Sequence, residues 1–334
     1  MNEVIGNRSF NPVNASVNIR KFGGSMIRFI IRRLISLVPT LFLIVTFSFF
    51  IMKVAPGGPF SAERNPPPEV LANINKVYHL DEPLPKQYVR YLGNMLHGDL
   101  GPSFRYKDYT VNDLIGNTMP NSLILGITAL CSALFFGLLV GLISAVKRNS
   151  VADYAAMSIA VIGISVPLFV VGPLLMLLFA VKLKWLPTSG WITGRQGLKT
   201  LVMPALALSL PYFAYIARLS RASVLEVLRS DYIRTAYAKG LSYPVVLFKH
   251  ALKGAMLPVI SYLGPAFAGI ITGSVVIEKI FLVPGLGTFF VQSALNRDYT
   301  LIMGTVVMYS IILIFMNFVV DILYAVIDPR ISYK

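Results

Sequence analysis

The chain has 334 residues, of which 55% are hydrophobic and only 13% are charged, and its mean hydropathy is +0.68. A soluble domain carries about 25% charged residues, and here the apolar residues form uninterrupted runs long enough to cross a bilayer. These properties exclude a soluble globular protein. The net charge of +15 is explained by cytoplasmic loops and membrane anchoring, so no nucleic acid partner is expected.

The N-terminal part of the chain is a polar tail followed by a first apolar run. Residues 1–25 are polar, lack a clear period and are predicted to be a disordered tail, and Met26 is a candidate for the natural start. Three arginines then precede residues 34–54, an apolar run of 21 residues that is long enough to span a membrane. We therefore predict an uncleaved first span with the tail in the cytoplasm.

A large insert outside the membrane follows the first span. The sequence Pro-Gly-Gly-Pro at positions 56–59 ends the first helix, and the insert covers residues 55–118. Two short helices are predicted within it, over residues 69–78 and 85–96. The insert also holds His79 and His97, which do not have the spacing of metal ligands, so no metal site is expected.

Five further apolar runs predict a total of six transmembrane helices in an all-α membrane protein. We place the later spans at Asn121–Val146, Tyr154–Val181, Thr200–Ala217, Ala255–Ile277 and Leu301–Ile327. Six spans put both termini on one side, and the distribution of Lys and Arg predicts that this side is the cytoplasm. Prolines within the spans, Pro167 among them, are expected to kink the helices.

Small residues within the spans predict sites of close helix contact. Gly137 and Gly141 lie four residues apart, as do Gly269 and Gly273, which places each pair on one helix face. Residues 264–274 are rich in small side chains, and two interpretations remain open: ordinary helix packing, or a helix that lines a path and faces a second subunit. The second interpretation assigns the path or interface to Gly264, Ala268, Gly269, Thr272, Gly273 and Ser274.

One polar, basic segment, residues 231–240, lies between the apolar runs. Asp231 is predicted to cap a short helix, and Gly240 is predicted to end it. The surrounding loop, residues 218–253, carries seven Lys or Arg residues and two acids, which predicts a cytoplasmic position. The helix is either a handle that another protein grips or a segment whose charges only determine topology.

The sequence RTAYAKGL at positions 234–241 resembles the R-T-A-x-A-K-G-L motif of permease subunits in bacterial peptide-type ABC importers. Arg234 and Thr235 stand where Glu and Ala usually stand in the wider E-A-A-x-x-x-G loop of ABC importers, whereas Ala236 and Gly240 match that loop. The resemblance implies a cytoplasmic coupling helix that contacts an ATPase. The residues assigned to this contact are Asp231, Arg234, Thr235, Ala236, Ala238, Lys239, Gly240 and Leu241.

Two further segments, residues 281–287 and 296–299, resemble the P-G-[LI]-G and R-D-[YF] signatures of the same family. The resemblance covers residues 26–334 and is closest to the B subunit of oligopeptide permeases. It implies the type I ABC importer permease fold in a bacterial inner membrane. The implied partners are peptides, a second permease, an extracytoplasmic peptide-binding protein, and two ATPase subunits that hold ATP and Mg. Binding-protein docking is assigned to Asp99, Pro284, Gly285, Gly287, Arg297 and Asp298.

Missing motifs help to separate three classes of function: a permease driven by separate ATPases, a self-sufficient carrier or channel, and a membrane-anchored structural or sensory protein. The chain has no G-x-x-x-x-G-K-[ST] motif, so no ATPase activity, catalytic residue or cofactor is expected in this chain itself. No predicted span carries a charge near its centre, which argues against a self-sufficient carrier or channel. A membrane-anchored structural or sensory protein would leave residues 234–241 unexplained. A permease driven by separate ATPases is therefore favoured. The family resemblance implies oligopeptides as its substrates, or alternatively dipeptides, murein peptides, nickel or glutathione.

Overall fold

The computed structural model describes residues 12–54, 75–76, 78–191 and 197–327, and for residues 12–29 and 325–327 it describes the backbone alone. Helices dominate these ranges, and their only β-type pairing is an isolated bridge between Pro102 and Thr110. The all-α prediction is therefore confirmed. Most of the helix predicted over residues 69–78 lies outside the described residues, whereas the one predicted over residues 85–96 is present.

The helices are numbered here in chain order. They are α1 (Pro12–Val54), α2 (Leu84–Leu96), α3 (Val111–Val146), α4 (Val151–Ser165), α5 (Leu168–Lys182), α6 (Gly197–Leu228), α7 (Asp231–Ala238), α8 (Tyr243–Phe281), α9 (Leu286–Asn296) and α10 (Tyr299–Ile327). The last part of α5, Met176–Lys182, and a turn near the start of α8, Val246–Ala251, are π-helical.

Within the described residues, five single helices are long and apolar enough to cross a membrane, namely α1 over Ile30–Val54, α3, α6, α8 and α10. Neither α4 nor α5 is long enough alone, so they meet this condition only as a pair. The chain bends by 110° between them. Val166 is extended at the bend, as expected for a residue before proline, and Pro167 has no N–H with which to continue the helix. The third span, predicted over Tyr154–Val181, is thus interrupted at Pro167, where the sequence predicts a kink.

Two helices, α1 and α3, begin earlier in the chain than the sequence predicts. Helix α1 begins at Pro12, a favoured first helical residue, so residues 12–25 are helical rather than a disordered tail. Helix α3 begins at Val111, ten residues before the predicted start of the second span. Thr110 and Asp113 explain this start, because each side chain accepts a hydrogen bond from the backbone N–H of the other. The last residues assigned to the insert, 111–118, therefore form the first turns of α3.

The helices on either side of α7 continue into the segment predicted as the polar loop, residues 218–253. Helix α6 continues to Leu228, eleven residues past the predicted end of the fourth span, and α8 already begins at Tyr243. The segment between these helices is reduced to residues 229–242, which contain α7 and two short turns. Helix α7 is therefore held closely between the ends of two long helices.

The centre of the fold is the contact between α3 and α6, which is the most extensive helix–helix contact in the described structure. Gly137 and Gly141 of α3 lie directly against α6, as their spacing predicts. A Cβ atom at Gly137 would lie 2.8 Å from Cγ2 of Ile216, and one at Gly141 would overlap the hydroxyl oxygen of Ser220. Helix α6 also packs against α4 and α8, so this contact determines where those helices sit.

We expect Gly141→Ala to destabilise the protein, because the added methyl group would lie 2.5 Å from the carbonyl oxygen of Ala217. Overpacking of this kind costs about 1–3 kcal/mol. Gly116 is a matched control in the same helix, because nothing lies within 4 Å of its Cβ position. Gly116→Ala should stabilise the helix by about 0.5–1 kcal/mol. Thermal unfolding in detergent measures both changes, and equal melting temperatures would contradict the proposed role of Gly141.

Candidate functional site

Helix α7 starts one residue earlier than the sequence suggests. Ser230 occupies the N-cap position, and Asp231 is the first helical residue rather than the cap. The Ser230 hydroxyl does not cap the helix, because it donates to the carbonyl of Val227 at 2.6 Å. Asp231 nevertheless places a negative charge in the first turn, where the helix dipole favours it.

The C-terminal end of α7 is a Schellman motif, and Gly240 ends the helix as predicted. Gly240 has φ = 78°, and its N–H donates to the carbonyl of Tyr237 at 2.9 Å. The N–H of Leu241 donates to the carbonyl of Ala236 at 3.3 Å. Glycine is favoured at this position because a left-handed conformation costs other residues about 1–2 kcal/mol.

One side of α7 is buried against the chain itself. Ile233 is 0% exposed and Ala236 is 6% exposed, and both belong to an apolar cluster at this end of the molecule. The other buried members of the cluster are Ala145, Val224, Val246, Leu247, Ala251 and Ala255, and Leu241 packs against them. Ala236 and Leu241 were predicted to contact an ATPase, but in this chain they hold α7 against α3, α6 and α8. The Ala236 side chain therefore faces inward, which contradicts its assignment to the ATPase contact, whereas Leu241 is only partly buried.

The opposite side of α7 is open to solvent. Asp231, Arg234, Thr235 and Ala238 are exposed, and their spacing places them on one helix face, which we call the outer face of α7. Lys239 and Gly240 are exposed just beyond it. Arg234 lies 3.5 Å from the carboxylate of Asp231, and this pair is fully solvated, so it adds little stability. Six of the eight predicted coupling residues thus lie on an accessible surface.

An ion pair that the sequence analysis did not identify lies beside the α7 cluster. Arg221 of α6 binds the carboxylate of Asp153 in α4 through two hydrogen bonds, both of 2.7 Å. Asp153 also accepts hydrogen bonds from the Ser144 hydroxyl of α3 and, at 2.9 Å, from the backbone N–H of Asn149. Asp153 has only 3% of its side chain exposed, so these contacts replace its hydration and join three helices.

Removing the positive partner of this pair should destabilise the protein strongly. Arg221→Met would leave Asp153 buried without its cation, which costs roughly 3 kcal/mol or more. Arg218, one turn earlier in the same helix, is exposed and only lies over the Tyr215 ring at 5.7 Å. Arg218→Met should therefore cost no more than about 1 kcal/mol. Melting temperatures of the two variants in detergent test this difference, and a small effect at Arg221 would be inconsistent with it.

The residues proposed for a path or subunit interface do not all share one surface. Thr272 is exposed and Ala268 is partly exposed, on the same face of α8. Gly264 and Ser274, in contrast, are buried within the chain, so their assignment to an open surface is wrong. Added bulk at Gly264 would meet Asn317 of α10, and the Ser274 hydroxyl donates to Glu278 at 2.9 Å.

The two glycines in this set also differ from each other. A Cβ atom at Gly269 would lie 2.5 Å from the hydroxyl oxygen of Tyr212 in α6, whereas the nearest atoms to one at Gly273 are 3.9 Å away. The close approach of α6 and α8 therefore depends on the missing side chain at Gly269, whereas the space around Gly273 would accept a methyl group. Beside Ala268 and Thr272 the surface forms a recess of about 210 Å³ between α8 and α10, mainly lined by apolar side chains.

At the other end of α8, the buried carboxylate of Glu278 holds the start of α9. Glu278 accepts hydrogen bonds from the hydroxyl groups of Ser122 at 2.7 Å and Ser274 at 2.9 Å, and from the N–H of Thr288 at 3.3 Å. The Ser122 hydroxyl in turn accepts the N–H of Leu286 at 2.8 Å. A carboxylate at a helix N-terminus is stabilised by the unpaired N–H groups there.

This arrangement explains the glycines of the predicted docking loop. A Cβ atom at Gly285 or Gly287 would collide with the Glu278 carboxyl group, which lies 2.8 Å or less from both positions. Both glycines are buried, so they serve packing rather than contact with a partner. Pro284 is exposed, and its carbonyl accepts a hydrogen bond from the Asn121 side chain at 2.8 Å.

Asp298, another predicted docking residue, is buried and joins the insert to α10. Its carboxylate accepts the Ser103 hydroxyl at 2.5 Å and the backbone N–H groups of Phe104 at 3.2 Å and Arg105 at 3.3 Å. It also accepts the N–H of Leu301 at 3.2 Å, which caps the start of α10. Its assignment to a docking surface is therefore wrong.

The other predicted docking residues remain accessible to different degrees. Asp99 is exposed and accepts the N–H of Gly101 at 2.8 Å, while Arg297 is partly exposed. Near Asp298, burial and then the negative charge of that carboxylate raise the pKa of Tyr106. The phenol donates a hydrogen bond to the Gln292 side chain at 3.0 Å, which links the insert to α9.

Asp298→Asn should loosen the insert, because an amide NH₂ group cannot accept the N–H groups that the carboxylate binds. Leaving such buried donors unpaired costs about 1–3 kcal/mol. We expect faster proteolysis within residues 103–110 of the variant. Asp99→Asn is the control, because this side chain is exposed and binds a single N–H group within the insert. Equal cleavage rates in the two variants would show that Asp298 does not fix the insert.

Comparison with known proteins places this arrangement in a family. Residues 137–333 match the binding-protein-dependent transport system inner membrane component, and residues 26–126 match the N-terminal part of such membrane components. The chain belongs to this family. It is therefore a multi-pass membrane component of a binding-protein-dependent transport system.

Several relatives are similar over nearly their whole length. The chain is 53% identical to the oligopeptide transport system permease protein OppB of Salmonella typhimurium, over 92% of this chain and 100% of that protein. It is 51% identical to OppB of Haemophilus influenzae over the same shares. The dipeptide transport system permease protein DppB of Bacillus subtilis is 48% identical, over 92% of this chain and 98% of that protein.

A solved structure shows the same fold at low sequence identity. A chain of the MetNI methionine ABC transporter in an inward-facing conformation superimposes with a TM-score of 0.54 and 17% identity. The similarity covers 64% of this chain and 96% of that chain. The type I ABC importer permease fold, expected from the sequence motifs, is therefore confirmed.

Proposed function

We propose that this chain is a transmembrane permease subunit for ATP-driven uptake of oligopeptides across a bacterial inner membrane. The observation that carries the proposal is the 53% identity to an oligopeptide permease protein over its entire length. The exposed outer face of α7 supplies the physical counterpart, because it offers a second protein a short polar helix. The dipeptide permease at 48% identity makes dipeptides the alternative substrate class.

In this proposal α7 transmits the conformational change that ATP binding and hydrolysis cause in the ATPase subunits. Two separate ATPase subunits hold ATP and Mg, and one of them contacts the outer face of α7 formed by Asp231, Arg234, Thr235 and Ala238. Ile233 and Ala236 are packed into the chain's own core, so a force applied to α7 moves α3, α6 and α8 with it. Packed helices have few discrete arrangements, and this motion would switch the pathway between inward-open and outward-open states.

The translocation path would form between this chain and a second homologous permease. Ala268 and Thr272, on the exposed side of α8, are the residues we propose for the path or subunit interface. A path without fixed charges suits peptides of varied sequence, because a charge in a medium of low polarity favours some side chains and repels others. Selection then falls to an extracytoplasmic peptide-binding protein that docks on the exposed parts of the insert, which include Asp99.

The proposed orientation follows from the distribution of charge. The end of the molecule that carries α7 also carries Lys147, Arg148 and the basic residues of the 218–253 region, which favours the cytoplasm. Both termini then lie in the cytoplasm, and the insert lies outside. This chain itself would hydrolyse no ATP, since its sequence has no phosphate-binding loop.

The outer face of α7 can be tested with one added carboxylate. Ala238→Glu places a charge at the proposed contact without touching the buried cluster. An unpaired charge at a protein interface costs several kcal/mol, and each 1.4 kcal/mol changes an equilibrium constant about tenfold. We expect normal membrane insertion but loss of the ATPase subunits from the purified complex and loss of peptide uptake.

The matched control is Ala294→Glu, the same chemical change at an exposed alanine of α9, at the other end of the molecule. This variant should keep its ATPase subunits. Ala236→Glu is unsuitable for the test because Ala236 is buried and its replacement would disrupt the chain itself. Full ATPase retention and normal uptake with Ala238→Glu would refute the coupling role and favour a self-sufficient carrier.

A further inference from the structure

Helix α2 of the insert is amphipathic and packs along the end of α1. Its tyrosines face α1: the Tyr88 ring lies 5.5 Å from Phe50 and 5.2 Å from Phe49, and the Tyr91 ring lies 6.0 Å from Phe49. At the end of α1, the Lys53 ammonium donates to the Gln87 side chain at 2.5 Å. These contacts hold α2 against the membrane-spanning helix rather than away from it.

One hydrogen bond shows how deep this contact reaches. The hydroxyl groups of Tyr88 and Thr46 are 2.6 Å apart. Thr46 precedes Val54, the last residue of α1, by eight positions, which is about 12 Å along a helix. A hydrocarbon core of about 30 Å gives each leaflet about 15 Å. Because α1 spans the membrane, the Tyr88 side chain of α2 reaches a part of α1 that lies below the membrane surface.

The side of α2 that turns away from α1 is apolar as well. Val89 is 67% exposed and Leu96 is 82% exposed, and helical spacing places both on one face with Leu92. The neighbouring part of α1 is also apolar and exposed, at Phe47 and Ile51. Phe47 and Ile51 directly follow Thr46 and Phe50, and Val89 directly follows Tyr88, so both exposed surfaces flank the contact between α1 and α2. The hydrocarbon of the bilayer would cover them there.

The polar side of α2 carries charges suited to the membrane surface. Lys86 and Arg90 both bind Glu82, at 3.1 Å and 2.6 Å, and Lys86 remains well exposed. Tyrosines together with Lys or Arg beside an apolar face are typical of helices that lie at the boundary between headgroups and acyl chains. Asn94 is exposed on the polar side of the same helix.

We infer that α2 is embedded in the leaflet on the side of the insert, with Val89, Leu92 and Leu96 in contact with lipid acyl chains. The helix thereby fixes the start of the insert at the membrane surface, next to the end of α1. This inference depends on the contacts with α1 and holds for either orientation of the chain and for any transported substrate.

The test uses the intact transporter complex in phosphatidylcholine vesicles, with Cys131 replaced by serine. Val89→Cys and Leu96→Cys are each labelled with a fluorophore that is sensitive to polarity. We expect emission at shorter wavelength than in water, and quenching when the vesicles contain phosphatidylcholine with a spin label on its acyl chain. Iodide in the surrounding buffer should have little effect at these positions.

Asn94→Cys, in the same helix, is the matched control and should respond to iodide but not to the spin-labelled lipid. If Val89 and Leu96 respond to iodide as strongly as Asn94 does, α2 lies in water and the inference is wrong. If both positions are shielded from iodide and from the lipid quencher alike, a protein subunit covers this face, and the inference is likewise overturned.

Discussion

The close contact between α3 and α6 is the constraint on which both ends of this chain depend. Gly137 and Gly141 allow the backbones to approach until the Ser220 hydroxyl lies within reach of the Gly137 carbonyl, at 3.4 Å. The same approach brings Ser144 and Arg221 to one carboxylate, that of Asp153. A side chain at either glycine would separate the helices and remove the partners from a buried charge. The glycines therefore matter for electrostatics as much as for packing.

The two ends of α8 are held by different kinds of interaction. At the α7 end, the cluster around Ile233 and Ala236 is apolar and buried, so it transmits displacement through packing rather than through directional hydrogen bonds. At the other end, Glu278 is held by directional hydrogen bonds to three elements, and such contacts do not tolerate displacement. In the proposed transporter, α8 would thus follow α7 through apolar packing while keeping a fixed relation to α9.

Much of this architecture was predictable from the sequence, because long apolar runs and basic loops follow directly from the properties of a bilayer. The ends of the helices were less predictable. Capping by Thr110 and Asp113 extends α3 before Pro120, a residue that would ordinarily suggest a boundary. The 110° bend at Pro167 exceeds an ordinary proline kink, and its size depends on how α5 packs against other helices.

A sequence motif does not predict in which direction its side chains point. The motif at residues 234–241 treats Ala236 as one of several contact residues, yet the helical period places it with Ile233 on the buried side. Asp298 and Gly287 likewise belong to recognisable signatures, but they bind Ser103 and approach Glu278 within this chain. Such residues shape the surface from inside the chain, and their exposed neighbours remain accessible to a partner. In the proposed transporter, the motif would mark the location of an interface, and burial would decide which of its residues form it.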